Sequence, residues 1–209
     1  MKHFLVITTV TALLVTGAIN AMAIEEAEYT VIKKDNHFEI RDYAPHIIAE
    51  TVVQGNLEDA GDIAFKKLFG YISGDNRSRD NVSMTAPVSQ KPNGEEIKMT
   101  APVAQQRDKE SWVVSFMMPG SYTMKTLPEP ADKEITLRQV PARRMAAIRY
   151  SGFWSEEGYL RHKAELESWI DKMGLTIVGV PIWARYNPPF MPWFLRRNEV
   201  LIPIDAGTD

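Results

Sequence analysis

Apolar residues recur at helical spacing twice along the chain and alternate with polar ones through most of the rest. The first helical pattern runs from Leu57 to Ser73. Leu57, Ala60, Ala64, Phe65, Leu68, Phe69 and Ile72 fall on one side, with Asp59, Asp62 and Lys66 opposite and Gly74 where a helix would stop. The second runs from Glu156 to Met173. Ser155 is placed to cap it, Glu156 and Glu157 stand in its first turn, and Gly174 ends it. Period-two alternation predicts strands near 28–34, 37–43, 46–54, 81–89, 97–104, 111–117, 135–140, 143–151, 176–186 and 198–204. Many strands with two helices make an α+β class.

Two repeats refine that class. At an offset of 97, Glu39-Ile40-Arg41-Asp42-Tyr43 lies over Thr136-Leu137-Arg138-Gln139-Val140, and Gly55 lies over Gly152. Each half then reads strand, strand, helix, strands. A shorter repeat is tighter: Met84-Thr85-Ala86-Pro87-Val88 returns as Met99-Thr100-Ala101-Pro102-Val103, with Asn93-Gly94 between them as a hairpin centre. A proline in each arm removes a donor toward the outer neighbour strand, so the sheet is expected to bend or break there, as in an irregular barrel. Simple edge strands would give the same pattern.

Composition narrows the chemistry. The chain has 209 residues, 24 Lys+Arg against 27 Asp+Glu, a net charge of −3 and no Cys. A basic field for a nucleic-acid backbone is missing, and thiol chemistry, disulfides and Cys-ligated clusters are excluded. Residues 1–23 have the form of a signal peptide: Lys2, an apolar run from Phe4 to Val15, and Ala21-Met22-Ala23 as the cleavage pattern. The expectation is a periplasmic protein cut after Ala23, with residues 24–209 as one domain.

The motifs also carry a family likeness. Met-Thr-Ala-Pro-Val after the first helix, Phe38-Glu39-Ile40-Arg41-Asp42-Tyr43, Tyr186-Asn187-Pro188-Pro189 and Arg196-Arg197-Asn198-Glu199-Val200 together resemble the SOUL haem-binding family over about residues 28–204. The resemblance implies a pseudo-twofold, distorted β-barrel of antiparallel or mixed sheet, flanked by two α-helices. It also implies non-covalent binding of haem or another porphyrin against the first helix and the C-terminal loop. The apolar helix positions Phe65, Leu68 and Phe69 and the loop tyrosine Tyr186 match the family. The position of a proposed axial histidine is Asp42 here, and helix positions that carry Arg or Lys in some members are Asp62 and Gly70.

Candidate residues follow from both readings. Phe65 and Phe69 form one shoulder of a helix that is apolar over ~180°, wider than the ~100° a core stripe needs. That shoulder is either extra core cover or a wall for a flat ligand. Arg185, Arg196 and Arg197 cluster near Tyr186 if the final loop closes back, and suit propionate carboxylates, or else form a solvated strand end. His46 follows Pro45 at a strand start and is the candidate axial ligand, with a surface role as the alternative; His162 reads as solvated. Met84 and Met99 are candidate iron neighbours or core filler. The apolar stretch Pro188–Phe194 reads as a lid, a membrane contact or barrel packing. No nucleophile, phosphate-loop or metalloprotease motif occurs, and Glu39 and Asp42, three apart on a strand, point to opposite faces. The expected activity is therefore binding without catalysis: a monomeric carrier, buffer or scavenger of a tetrapyrrole, with roughly micromolar affinity once association costs are met. The alternatives are a GyrI-like ligand-sensing module, marked by a buried unpaired acid, or an envelope protein of the same fold that no longer binds haem.

Overall fold

The computed structural model describes residues 24–79 and 94–205. The signal-like segment, Met84 and the first Met-Thr-Ala-Pro-Val copy, and with them the expected hairpin, lie outside the described residues. The N-terminal part contains a two-residue strand β1 (Glu25–Glu26) and three longer ones, β2 (Tyr29–Asp35), β3 (Phe38–Tyr43) and β4 (His46–Gln54). Helix α1 (Leu57–Ile72) follows as the apolar periodicity requires. Gly55 takes φ +125° to turn the chain off the sheet, and the Asn56 side chain accepts from the Asp59 N–H at 2.8 Å to cap the first turn. After α1 come β5 (Asn76–Arg77), β6 (Thr100–Ala101), β7 (Val103–Asp108) and β8 (Ser111–Met117). The strand expected at 97–104 is thus broken at Pro102, which has no N–H to give a ladder.

The second half contains β9 (Glu129–Pro130), β10 (Ile135–Val140), β11 (Arg143–Tyr150), α2 (Glu156–Lys172), β12 (Ile182–Arg185) and β13 (Asn198–Pro203). Ser155 caps α2 through the Gly158 N–H at 3.2 Å. The strand expected at 176–186 shrinks to four residues. Before it, Ile177 makes a single bridge to Ile204, and Gly179 and Pro181 interrupt the β-branched run.

Nine strands form one antiparallel sheet in the order β10-β4-β8-β7-β12-β13-β11-β3-β2. Apart from the extra edge strand β2, the order is the same from either end: β10-β4-β8-β7 from one side and β3-β11-β13-β12 from the other. The duplication seen at offset 97 is therefore the pseudo-twofold of the fold, and its axis passes between β7 and β12. The sheet curls into a half-barrel rather than closing.

Alternation gives each strand two fates. On one face Ala49, Val114, Phe116, Ala146, Ile148 and Val200 lie under α1 and α2, and the main core forms there. Ala60 and Ala64 on α1 are fully buried, so the helix approaches the sheet closely. The opposite, concave face has a smaller cluster of Tyr43, Met145, Ala147, Ile182, Ala184 and Leu201.

Candidate functional site

The concave face is where a network of ion pairs enters the interior. Glu199 on β13 is fully buried and Arg41 on β3 is 2% exposed. Arg41 donates to both oxygens of Glu199 at 2.6 and 3.2 Å and to the Tyr43 hydroxyl at 3.1 Å. Arg197 donates to Glu199 at 2.9 Å and reaches Glu26 of β1 at 2.8 Å. The Tyr186 hydroxyl donates to Glu199 at 3.0 Å. Burial alone would lower the pKa of Arg41, but the hydrogen bond and charge of Glu199 outweigh it and raise it above the ordinary arginine value. This network clamps β1, β3, β13 and the end of β12 to one another.

Beside the network lie two neighbouring spaces. A cavity of about 80 Å³ on the concave face is lined from both halves, by His46, Ile48 and Val140 on one side and Tyr43, Met145 and Leu201 on the other. At the β3–β4 turn it meets a broader groove of about 700 Å³, bordered by the N-terminal segment, the β3–β4 turn and residues 117–125. His46 and Met117 border both. Met118 and Met124 border the groove. The groove falls within the roughly 300–1,000 Å³ of small-molecule and cofactor sites.

His46 has a defined state there. Its Nδ1 lies 3.0 Å from the Ala44 carbonyl, which can only accept, so Nδ1 carries the proton and Nε2 keeps its lone pair. Burial, reinforced by Arg143 and Arg138, lowers its pKa from the ordinary 6.5 despite the Ala44 bond. The ring is neutral at pH 7. A neutral imidazole anchored through Nδ1 is the usual form of a histidine that binds iron. Among the described residues no cluster of three His, Asp or Glu forms a metal cage, but an iron already held by a macrocycle needs only an axial donor.

The other candidates separate. Phe65 and Phe69 stack at 5.8 Å on the outer shoulder of α1, with Phe65 edge-on to Phe116 at 5.4 Å. Phe69 stays 46% exposed, and Leu68 is wholly buried beneath them in the core. Neither the cavity nor the groove touches this shoulder. Leu68 therefore packs the fold and presents nothing to a ligand. Tyr186 faces the concave side, while Arg185, one residue earlier, faces the helices. Its Nη2 donates to Gln105 at 3.3 Å, and it lies between the Trp154 and Trp183 rings. Arg196 donates to the Met191 and Pro189 carbonyls, and Arg197 is bound to two glutamates. The expected cluster of three arginines around Tyr186 is thus reduced to Arg197, because alternation sends Arg185 to the far face and Arg196 braces its own loop.

That loop does not close over α1. The Gly152 N–H donates to the Trp193 carbonyl at 3.0 Å and Phe153 stacks on Trp193 at 5.3 Å, which places residues 188–195 beside the start of α2. Asp42 is held bidentate by Arg144 at 2.7 and 2.9 Å. His162, expected in solvent, packs on the Tyr150 ring at 3.9 Å. Sequence reasoning missed Arg143 and the Arg138–Glu50 pair. Period-two alternation from Met145 would have put Arg143 on the concave face.

The SOUL heme-binding protein family matches residues 24–203. Heme-binding protein 1 of Mus musculus is 26% identical over 138 residues, covering 66% of this chain and 67% of its own length. The Sus scrofa protein of the same name is 23% identical over 137 residues, with the same coverage of 66% and 67%. Among solved structures, the EcmrR C-terminal domain superposes with a TM-score of 0.59 at 10% identity, over 85% of this chain and 98% of that one. A hydrolase from Listeria innocua reaches 0.54 at 11% identity, over 83% and 94%. These two likenesses show a shared fold. The family match spans nearly all of the chain after residue 23, and the chain belongs to the SOUL heme-binding protein family.

Proposed function

We propose that the protein is an exported, non-enzymatic carrier of haem or a related tetrapyrrole, held non-covalently in the groove at the β3–β4 turn. The observation that carries this reading is His46: neutral, anchored through Nδ1 to Ala44, and bordering a space of about 700 Å³. Haem supplies an apolar disc, an iron with axial positions and two carboxylates. In this arrangement His46 offers the nitrogen and Met117 and Met118 the apolar contact, while the groove edge carries Lys125 together with Glu25, Glu28 and the Arg197-paired Glu26. Burying a few hundred Å² at ~25 cal/mol/Å² gives several kcal/mol, largely offset by the cost of association, so roughly micromolar affinity is expected.

Hemin titration followed in the Soret region tests the proposal. A saturable red shift that His46→Ala abolishes or moves is the expected result. Absence of saturation up to the solubility limit of hemin overturns it and leaves an envelope protein without the ligand. A cation-sensing module is disfavoured by Glu199, the buried acid of the concave face, because both its oxygens are occupied by Arg41, Arg197 and Tyr186. Export is tested by the mass of the protein in the periplasmic fraction, which should start at Ile24.

The exposed 188–194 segment is the proposed contact with a membrane surface. Phe190 is 84% exposed and Phe194 58%. Pro188, Pro189 and Pro192 have no N–H to desolvate, and Arg196 already satisfies two carbonyls of the loop. Sedimentation with phosphatidylcholine vesicles, lost in Phe190→Ser, is the expected result; equal sedimentation of both forms removes the segment from that role.

A further inference from the structure

The cavity on the concave face has a charge arrangement that the groove alone does not explain. Ile48, Val113, Val140, Met145, Ile182 and Leu201 make its walls apolar. Two cations stand among them. Arg138 on β10 is held bidentate by Glu50 at 2.9 and 2.8 Å. Arg143, at the start of β11 and in register with Tyr43, makes no ion pair and no side-chain hydrogen bond to any described residue. Burial and the nearby charge of Arg138 lower the pKa of Arg143 against a smaller opposing effect of Tyr43, and the Glu50 carboxylate in the cavity lining is bound by Arg138, not by Arg143. Ser115, Gln106, neutral His46, the Tyr43 and Tyr186 hydroxyls and the Glu50 carboxylate held by Arg138 are the other polar side chains around the cavity.

An apolar pocket with an uncompensated guanidinium is complementary to an apolar anion. A planar fork of N–H donors matches a carboxylate, which would relieve the Arg138–Arg143 repulsion, whereas a cation would add to it. At ~10–15 Å³ per water, about 80 Å³ accepts a small head group and the first carbons of a chain. Ala27, His46 and Met117 border both spaces, and the rest of the chain would continue on the groove side of them. We propose that the concave cavity binds a single-chain aliphatic carboxylate, its head on Arg143 and its chain along the apolar walls. This site does not depend on the haem reading.

Calorimetric titration of the full-length mature protein with decanoate, decanol and decyltrimethylammonium, below their micelle concentrations and without hemin, is the test. Decanoate should saturate and bind about tenfold or more tightly than the other two, the scale of one charge-assisted hydrogen bond. Arg143→Gln should erase that preference and Arg143→Lys should keep part of it, with unchanged thermal midpoints showing intact folds. Equal affinity for decanoate and decyltrimethylammonium in the unaltered protein overturns the proposal, and so does undiminished decanoate binding by a folded Arg143→Gln variant. Decanoate binding by a protein that ignores hemin would support this site and refute the haem reading. Hemin binding without a decanoate preference would do the reverse.

Discussion

The two faces of the sheet are built from alternate residues of the same strands, yet they are different materials. On β13, Val200 and Ile202 face the helices and are fully buried in an apolar core, while Glu199, between Asn198 and Val200, is equally buried on the concave side among arginines. On β11, Ala146 and Ile148 lie under helix, whereas Arg143 stands in the cavity. The helix-covered face gains from close packing, to which each large, fully buried aliphatic or Phe side chain adds about 1.5–3 kcal/mol. The concave face gains little in that way, because the Coulomb energy of a buried ion pair is largely cancelled by desolvation. Its ions instead fix positions: Arg197 joins Glu26, near the chain start, to Glu199, near its end, at the edge of the groove. Close packing resides on one face, and the ion network and the candidate site on the other.

Substitutions on the two faces should therefore fail in different ways. The largest effect is expected for Glu199→Ala, which removes the carboxylate shared by Arg41 and Arg197 and leaves them Glu39 and Glu26 alone beside an empty space. Breaking a buried pair from one side costs about 3–5 kcal/mol. Urea unfolding measures it, and a loss under 1 kcal/mol would mean that the concave network is hydrated and peripheral. Leu68→Ala comes next, at about 3 kcal/mol for a buried leucine in a close-packed core. Hemin affinity per folded molecule should be unchanged in this variant. A large drop in affinity would join the two faces functionally and break the comparison.

Acid should act through the ion pairs and not through the helix-covered core. Burial opposes ionisation of Glu39, but the hydrogen bonds from Lys34 and Arg41 outweigh it and lower its pKa from 4.5. The Arg144 hydrogen bond lowers Asp42 from 3.8 against a smaller burial effect. A lowered folded-state pKa means that the stabilisation is complete above the ordinary value and is lost as the pH falls through the folded one. Stability should be level above about pH 5 and decline below it. The decline should be shallower in a Glu39→Gln, Asp42→Asn double variant, as measured by unfolding midpoints. Partly exposed pairs contribute only about 0.2–1 kcal/mol each, so this effect ranks below the two core changes.

Much of the fold was legible because the residues that specify it are local. Gly55, Asn56 and the 3.6-residue spacing from Leu57 define α1 without reference to anything distant, and β4, β8 and β10 lie where alternation put them. The 176–186 region misleads because Ile177, Val178 and Val180 are strand-forming by type, yet Val178 is 60% exposed and has no sheet neighbour beyond the Ile177 bridge. The site was less legible for a topological reason. Alternation separates Arg185 from Tyr186, but which face is concave is decided by the pairing of β3 with β11 and of β4 with β10, across about a hundred residues of sequence. His46 was visible as a residue. Its neutral state and its position at the groove required Ala44, Arg138 and Arg143 in space.

The smallest effect on stability separates the two places a macrocycle could lie. Phe69→Ser removes an exposed ring whose neighbour Phe65 remains braced on Phe116, and surface changes of this kind stay within about 0.5 kcal/mol. Because the fold tolerates it, any change in hemin affinity reports on the ligand alone. With the macrocycle at His46, affinity should stay within about twofold, as the shoulder of α1 contributes nothing to that groove. If affinity instead falls about tenfold, the loss of one ring stacked on a flat ligand (~1.5 kcal/mol), the α1 shoulder is the site, and the division of labour between the two faces has to be redrawn with the ligand on the helix-covered side.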